Sequence, residues 1–196
     1  LDEAAGLFCQ RADLNLSECE VHKFLAFFYQ EKQNYSEAIS ECKKALRLNP
    51  GQKEIHNTLG NILLREGKTE KAIAEYNTAL RINGQYVEAF YGLGLVYYNQ
   101  GYYDKAQSTF QEALRLRPDY VEPHIGLGRI FAHRLAFQDA MAEYSLVLNQ
   151  KPENVEANYE LGSIYEKTGN GKNAIEQFLK VKQLAPQRDD VSFRLG

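Results

Sequence analysis

Apolar residues recur along this chain with two superimposed periods. The short period is helical. Between Val87 and Asn99, Phe90, Leu93, Gly94 and Tyr97 fall at i, i+3, i+4 and i+7, one face of an α-helix. From Tyr103 to Leu116, Ala106, Phe110 and Ala113 mark one face of a second helix. Gly101 stands between the two stretches and Pro118 follows the second, so each carries its own stop signal. The long period is 34 residues. Gly60, Gly94, Gly128 and Gly162 stand that far apart, with Ala26 one step earlier. Leu25, Leu59, Leu93, Leu127 and Leu161 keep the same step, as do Ala38, Ala72, Ala106, Ala140 and Ala174. Large residues fill two further columns: Tyr29, Leu63, Tyr97, Phe131 and Tyr165, and Tyr76, Phe110, Tyr144 and Phe178 after Cys42.

Each period therefore predicts two amphipathic helices, A and B, joined by a short turn. The small residues Gly94 and Ala106 let A and B approach near the short end of the ~8–10 Å helix packing range. One pair cannot bury both of its faces, so neighbouring pairs must stack. The columns place five complete units at 19–52, 53–86, 87–120, 121–154 and 155–188. Residues 1–18 read as the second helix of a truncated preceding unit, and 189–196 as the start of a sixth. Gln33 and Leu135 stand where the other units have a turn glycine, so those two turns are expected to be strained or differently shaped.

Leu93-Gly94-x2-Tyr97 with Ala106-x3-Phe110 and Pro118, and Leu161-Gly162-x2-Tyr165 with Ala174-x3-Phe178 and Pro186, resemble the tetratricopeptide repeat pattern. The column that is tryptophan in that pattern reads His22, His56, Phe90, His124 and Asn158 here. The resemblance implies an all-α, right-handed superhelical α-solenoid of antiparallel helix pairs. It also implies a concave groove lined by helix A, to which a partner polypeptide binds.

Composition narrows the function. A net charge of −3 over 196 residues, with the signs mixed, argues against nucleic-acid binding. No apolar stretch reaches the ~20 residues that span a bilayer, so no membrane insertion is expected. Cys9, Cys19 and Cys42 form no Cys-x-x-Cys pair, and their odd number suits a reducing compartment, here taken as cytoplasmic. The start at Leu1-Asp2-Glu3 lacks signal-peptide character and a Met, which suggests a processed or excised piece.

Candidate chemistry is sparse. His22, His56 and His124 share one column, but equivalent places in successive units lie roughly 10 Å apart, whereas metal–nitrogen bonds need about 2 Å. They read as packing histidines, and no metal or cofactor is expected. Gly67-Lys68-Thr69 lacks the earlier glycine of a phosphate-binding loop, and Thr69 reads instead as the cap of a B helix. No catalytic constellation can be placed on the repeat map, so the chain is read as no enzyme.

The family resemblance assigns the groove to places 2, 5, 9, 12 and 13 of each unit. Those places put Phe27, Asn57, Asn61, Leu64 and Arg65 on it from the first two units. The next two supply Tyr91, Leu95, Tyr98, Ile125 and Arg129, and the last supplies Tyr159. Its middle is apolar and aromatic, which suits an interface. Place 2 is acidic throughout, at Glu20, Glu54, Glu88, Glu122 and Glu156. This column reads either as an acidic rail for a basic partner or as carboxylates placed on helix dipoles. The carboxylate clamp of chaperone-binding family members is absent, and so is the asparagine ladder of the O-linked N-acetylglucosamine transferase arm. Asn57 and Asn61 alone resemble a ladder step.

The expectation is a scaffold or adaptor that holds a partner's peptide or helix, apolar or basic in character. One alternative is the substrate-presenting arm of a larger enzyme such as a glycosyltransferase. Another is a self-assembling scaffold, homo-oligomeric through uncapped ends at Ala4, Leu7, Phe8 and Ala12 and at Phe193 and Leu195.

Overall fold

The computed structural model describes residues 17–188, 190 and 191. The expected helix within residues 1–18 lies almost wholly outside the described residues, as do Phe193 and Leu195. The described residues contain ten α-helices and no strand. They are α1 (Glu18–Glu31), α2 (Tyr35–Leu48), α3 (Lys53–Arg65), α4 (Thr69–Ile82), α5 (Val87–Asn99), α6 (Tyr103–Leu116), α7 (Val121–His133), α8 (Phe137–Gln150), α9 (Val155–Lys167) and α10 (Gly171–Leu184). The chain divides into two compact units, Leu1–Val96 and Tyr97–Gly196, with the division inside α5.

In the first unit α1 packs on α2 and α3 on α4, while α2 and α1 both touch α3. Ala26, Cys42, Ala45, Ile55 and Leu59 form its core cluster. Burial first, then the carboxylates of Glu75 and Glu41, push the Cys42 thiol up to about 12. The fully buried Tyr76 ring is wedged between α3 and α5. A Cβ on Gly60 would meet that ring at 2.6 Å, and one on Gly92 would also collide with it. Glycine is required at Gly92 by this close approach rather than by backbone conformation.

In the second unit α7 packs on α8 and α9 on α10, with α6 against α7 and α8 against α9. Its core holds Val121, Ile125, Ala140, Tyr144, Val147, Ala157, Leu161 and Ile164. A Cβ on Gly128 would meet the Tyr144 ring at 2.6 Å, and one on Gly126 the Phe110 ring at 2.5 Å. The device is that of Tyr76: an aromatic ring from a B helix fills the hollow left by missing side chains on the A helices. Each such ring contributes roughly 1.5–3 kcal/mol of burial.

All five A-to-B turns have one geometry. The N–H of Asn34, Lys68, Tyr102, Ala136 and Asn170 reaches back to the carbonyl of Tyr29, Leu63, Tyr97, Phe131 and Tyr165 at 2.8–2.9 Å. The residue before each donor has positive φ: Gln33 (57°), Gly67 (72°), Gly101 (78°), Leu135 (60°) and Gly169 (76°). This is the Schellman closure of a helix C-terminus. Of the two outcomes expected at Gln33 and Leu135, strain or a different shape, the structure shows the first. The shape is kept, and the strain of a left-handed side chain, ~1–2 kcal/mol, is borne there. The expectation for Thr69 is corrected. Lys68 occupies the N-cap position without a side-chain cap, and Thr69 is the first helical residue.

Candidate partner-binding faces

In the first unit the predicted residues fall on α1, α3 and α5. Phe27 is 38% exposed, beside Phe24 and Phe28, which are more so. Asn57 and Asn61 lie one turn apart on one face of α3. The Tyr76 hydroxyl donates to Asn61 Oδ1 at 2.8 Å. Burial holds that hydroxyl far above the usual phenol range; Tyr91 adds to the effect and Arg65 opposes it, so all three side chains share one neighbourhood. Arg65 donates to the Tyr35 hydroxyl at 3.3 Å. Asn57 is only 9% exposed, and its Oδ1 has no hydrogen-bond partner. Leu64, Tyr91 and Leu95 are half-buried.

In the second unit Arg129 is the centre of the face. Its Nη2 reaches Glu156 Oε1 at 2.5 Å and its Nε reaches Glu160 Oε1 at 3.2 Å. Burial opposes the guanidinium charge, but Glu156 and then Glu160 outweigh it and hold Arg129 above the ordinary arginine range. Tyr98 stands beside this cluster. Burial raises its hydroxyl, Arg129 opposes the rise, and Tyr103 and Glu160 add to it. The Tyr98 ring meets Tyr103 edge-on at 5.6 Å, and Tyr103 meets His133 at 4.3 Å. Tyr144 is fully buried below, and its hydroxyl has no hydrogen bond.

One predicted residue is placed otherwise. Ile125 is 6% exposed and packs in the core with Tyr144 and Ala157, so it lines no surface. Tyr159 is half-buried, with the Arg188 guanidinium 4.1 Å above its ring. The acidic column is not a row of free carboxylates either. Glu20 closes a capping box with Ser17, accepting from its backbone N–H at 2.8 Å, and these bonds hold its carboxyl below the usual range. Glu54 pairs with Lys53 at 3.1 Å, Glu122 with Lys151 at 3.4 Å and Glu156 with Arg129. Glu88 is half-buried and also engaged. The four named partners, Ser17, Lys53, Lys151 and Arg129, stand at other places of the repeat, which a reading of single columns misses.

The histidine column holds what the sequence reading missed. His22 Nδ1 lies 2.6 Å from Glu41, His56 2.7 Å from Glu75 and His124 2.6 Å from Glu143, each pair 19 residues apart. Every pair ties an A helix to its own B helix. The signal was readable: where the histidine is replaced by Phe90 or Asn158, the glutamate is replaced by Thr109 or Gln177. In that last pair Asn158 turns to the carbonyls of Pro152 and Asn154, and Gln177 Oε1 is left buried and unpaired. Among the described residues no group of three metal-ligating side chains is assembled, and no helix is long and apolar enough to cross a membrane.

Tetratricopeptide repeat profiles match residues 19–52 and 87–120, residues 41–74 and residues 155–188, and a further TPR repeat profile matches 60–101. Together these matches cover most of the sequence. The chain belongs to the tetratricopeptide repeat family. Among curated proteins none matches it significantly. Solved structures do. A thermophilic TPR protein of Thermus thermophilus, TTC0263, shares 24% identity at a TM-score of 0.76, over 90% of this chain and 96% of that one. YrrB, a TPR protein with an unusual peptide-binding site, shares 21% at 0.61, over 96% and 97%. A chain of the APC/C hetero-tetramer Cut9–Hcn1 shares 18% at 0.86, over 99% of this TPR protein and 39% of the other. At these identities the likeness is one of fold: this TPR chain has the all-α solenoid class of fold expected from its columns.

Proposed function

We propose that this TPR protein is a non-catalytic scaffold that holds a partner polypeptide on the exposed face of its A helices, with Asn57, Asn61 and Tyr91 as the grip of the first unit. The observation that carries the reading is Asn57. A buried amide oxygen without a partner costs ~1–3 kcal/mol, and a shift of the covered Asn57 side chain toward a partner's main-chain N–H would recover that cost. Asn61, one turn away, gives its oxygen to Tyr76 and retains its amide N–H groups. One acceptor and one donor at that spacing match the alternating N–H and C=O of an extended chain. Tyr91 adds contact area with a polar tip. The peptide-binding site of YrrB sits on a related fold and supports the same use here.

The test is a pull-down from source-cell extract with the wild type, Asn57→Ala and Tyr91→Ala. A protein retained by the wild type and lost from both variants, with circular dichroism unchanged, is the expected result. An identical catch from all three overturns the reading.

A further inference from the structure

One face of α1 is far more exposed than its counterparts on the other A helices. In the second unit Ala157, Leu161 and Ile164 of α9 close on Tyr144 and Val147 of the preceding B helix, α8. In the first unit Ile55 and Leu59 of α3 close in the same way on Cys42 and Ala45 of α2. The matching places on α1 are Val21, Leu25 and Phe28. Phe28 is 46% exposed, whereas Ile62, Val96, Ile130 and Ile164 in its column are at most 2% exposed. Phe24, one turn earlier on the same face, is exposed as well, where Thr58, Gly92 and Gly126 are buried. The seat of a preceding B helix is present on α1, and it carries two phenylalanines.

The chain outside the described residues brings such a helix to this seat. Ser17 is fixed as the N-cap of α1 by its bonds with Glu20, so residues 1–16 join at the start of that helix. Counting back 34 residues from Ala38, Cys42 and Leu46 reaches Ala4, Phe8 and Ala12. These stand at i, i+4 and i+8, one face of a helix. As a helix, residues 3–15 would span ~20 Å, about the length of α1. The tether also decides the occupant. A segment joined only through Leu16 and Ser17 meets the seat at an effective concentration in the millimolar range, which a second copy does not reach.

Two residues keep this helix out of the position used inside the array. The Tyr76 and Phe110 rings enter hollows over Gly92 and Gly126, where any added Cβ would collide with them. The residue opposite Phe8 is Phe24, and a ring does not enter a hollow that another ring fills. Arg11 stands in the column of Ala45, Ala79 and Ala113, which are fully buried, so its guanidinium has to leave the joint for water.

We infer that residues 3–15 fold back as a cap helix on the Phe24–Phe28 face of α1, packed ring against ring rather than ring into hollow. This joint stands farther out than those within the array and is the first to open. The chain thus carries its own occupant for an apolar docking face, and any partner that binds there has to displace it.

The experiment is amide hydrogen exchange on the full chain, read by mass spectrometry at two protein concentrations. Residues 6–15 are expected to exchange at least ~10-fold slower than an unstructured peptide, yet faster than α2. Phe8→Ala removes that protection and leaves α3 and α4 unchanged, which also shows that the variant folds. Phe24→Gly opens the hollow, admits the Phe8 ring and slows residues 6–15 by a further ~10-fold. Phe8→Ala lies on the segment itself, so it keeps the test decisive if Phe24→Gly frays α1. Free-peptide rates for residues 6–15 in the wild type, or unchanged rates in Phe8→Ala, overturn the cap. Faster exchange of residues 6–15 in Phe24→Gly with α1 intact overturns its ring-against-ring packing. Protection that rises with protein concentration assigns the face to a second copy and overturns the cap as well.

Discussion

Tyr76 in the first unit and Tyr144 in the second occupy one column of the repeat and do one job in the core. Each ring is fully buried against a glycine of its own A helix. Their hydroxyls part ways. Tyr76 ends on a neutral amide, Asn61, in a face of amides and aromatics. Tyr144 ends unpaired beneath Arg129, Glu156 and Glu160. The repeat keeps whatever fills the interior and lets the residues just outside it diverge. One packing frame thereby presents two chemically different faces.

The comparison breaks first at the rings. Gly92→Val and Gly126→Val force a branched side chain into Tyr76 and Phe110 respectively. Each is expected to cost ~3 kcal/mol, the upper range for overpacking. Urea denaturation of the two variants checks whether the frame is equally tight in both units. A cost below ~1 kcal/mol in either shows that its ring can move aside.

The histidine–glutamate pairs come next. His124→Leu leaves the Glu143 carboxylate without its partner and is expected to cost ~2 kcal/mol. The converse sharpens the point. Asn158→His combined with Gln177→Glu rebuilds the pair where it is missing and should raise the melting temperature above that of either single variant.

Hydroxyl removal separates the units most cleanly. Tyr76→Phe strands Asn61 and is expected to cost ~1 kcal/mol. Tyr144→Phe removes an unpaired buried hydroxyl and is expected to cost nothing or to stabilise slightly. Equal losses in the two variants would mean that Tyr144 has a partner in solution.

The smallest effect is at the turns. Leu135→Gly relieves left-handed strain of ~1–2 kcal/mol and loses ~0.5–1 kcal/mol to chain entropy. A net gain of ~0.5 kcal/mol in a thermal melt is expected, against a loss for Gly101→Leu at the equivalent turn.

Much of this was legible in the columns. Val87–Asn99 and Tyr103–Leu116 could be delimited because burial on a helix has a fixed period and the stops are local residues. The turns at Gln33 and Leu135 were open between strain and a different shape, and strain is the outcome because five similar helix pairs impose one loop geometry that outweighs a local preference. Ile125 was misassigned because place 5 lies at the border between face and core, and an apolar residue there turns inward. The acidic column stayed open between a rail and dipole-placed carboxylates because Lys151 and Arg129, which answer Glu122 and Glu156, stand elsewhere in the repeat map.

The sequence by itself determined the helices, their pairing and the family, since those follow from periodic burial and from stop residues a few positions away. Only the tertiary structure decided how the other polar groups meet: Tyr76 with Asn61, Arg129 with two carboxylates, and Tyr144 with none. Hydrogen bonds and ion pairs act over about 3 Å, and no pattern along a chain fixes distances that short between residues on different helices.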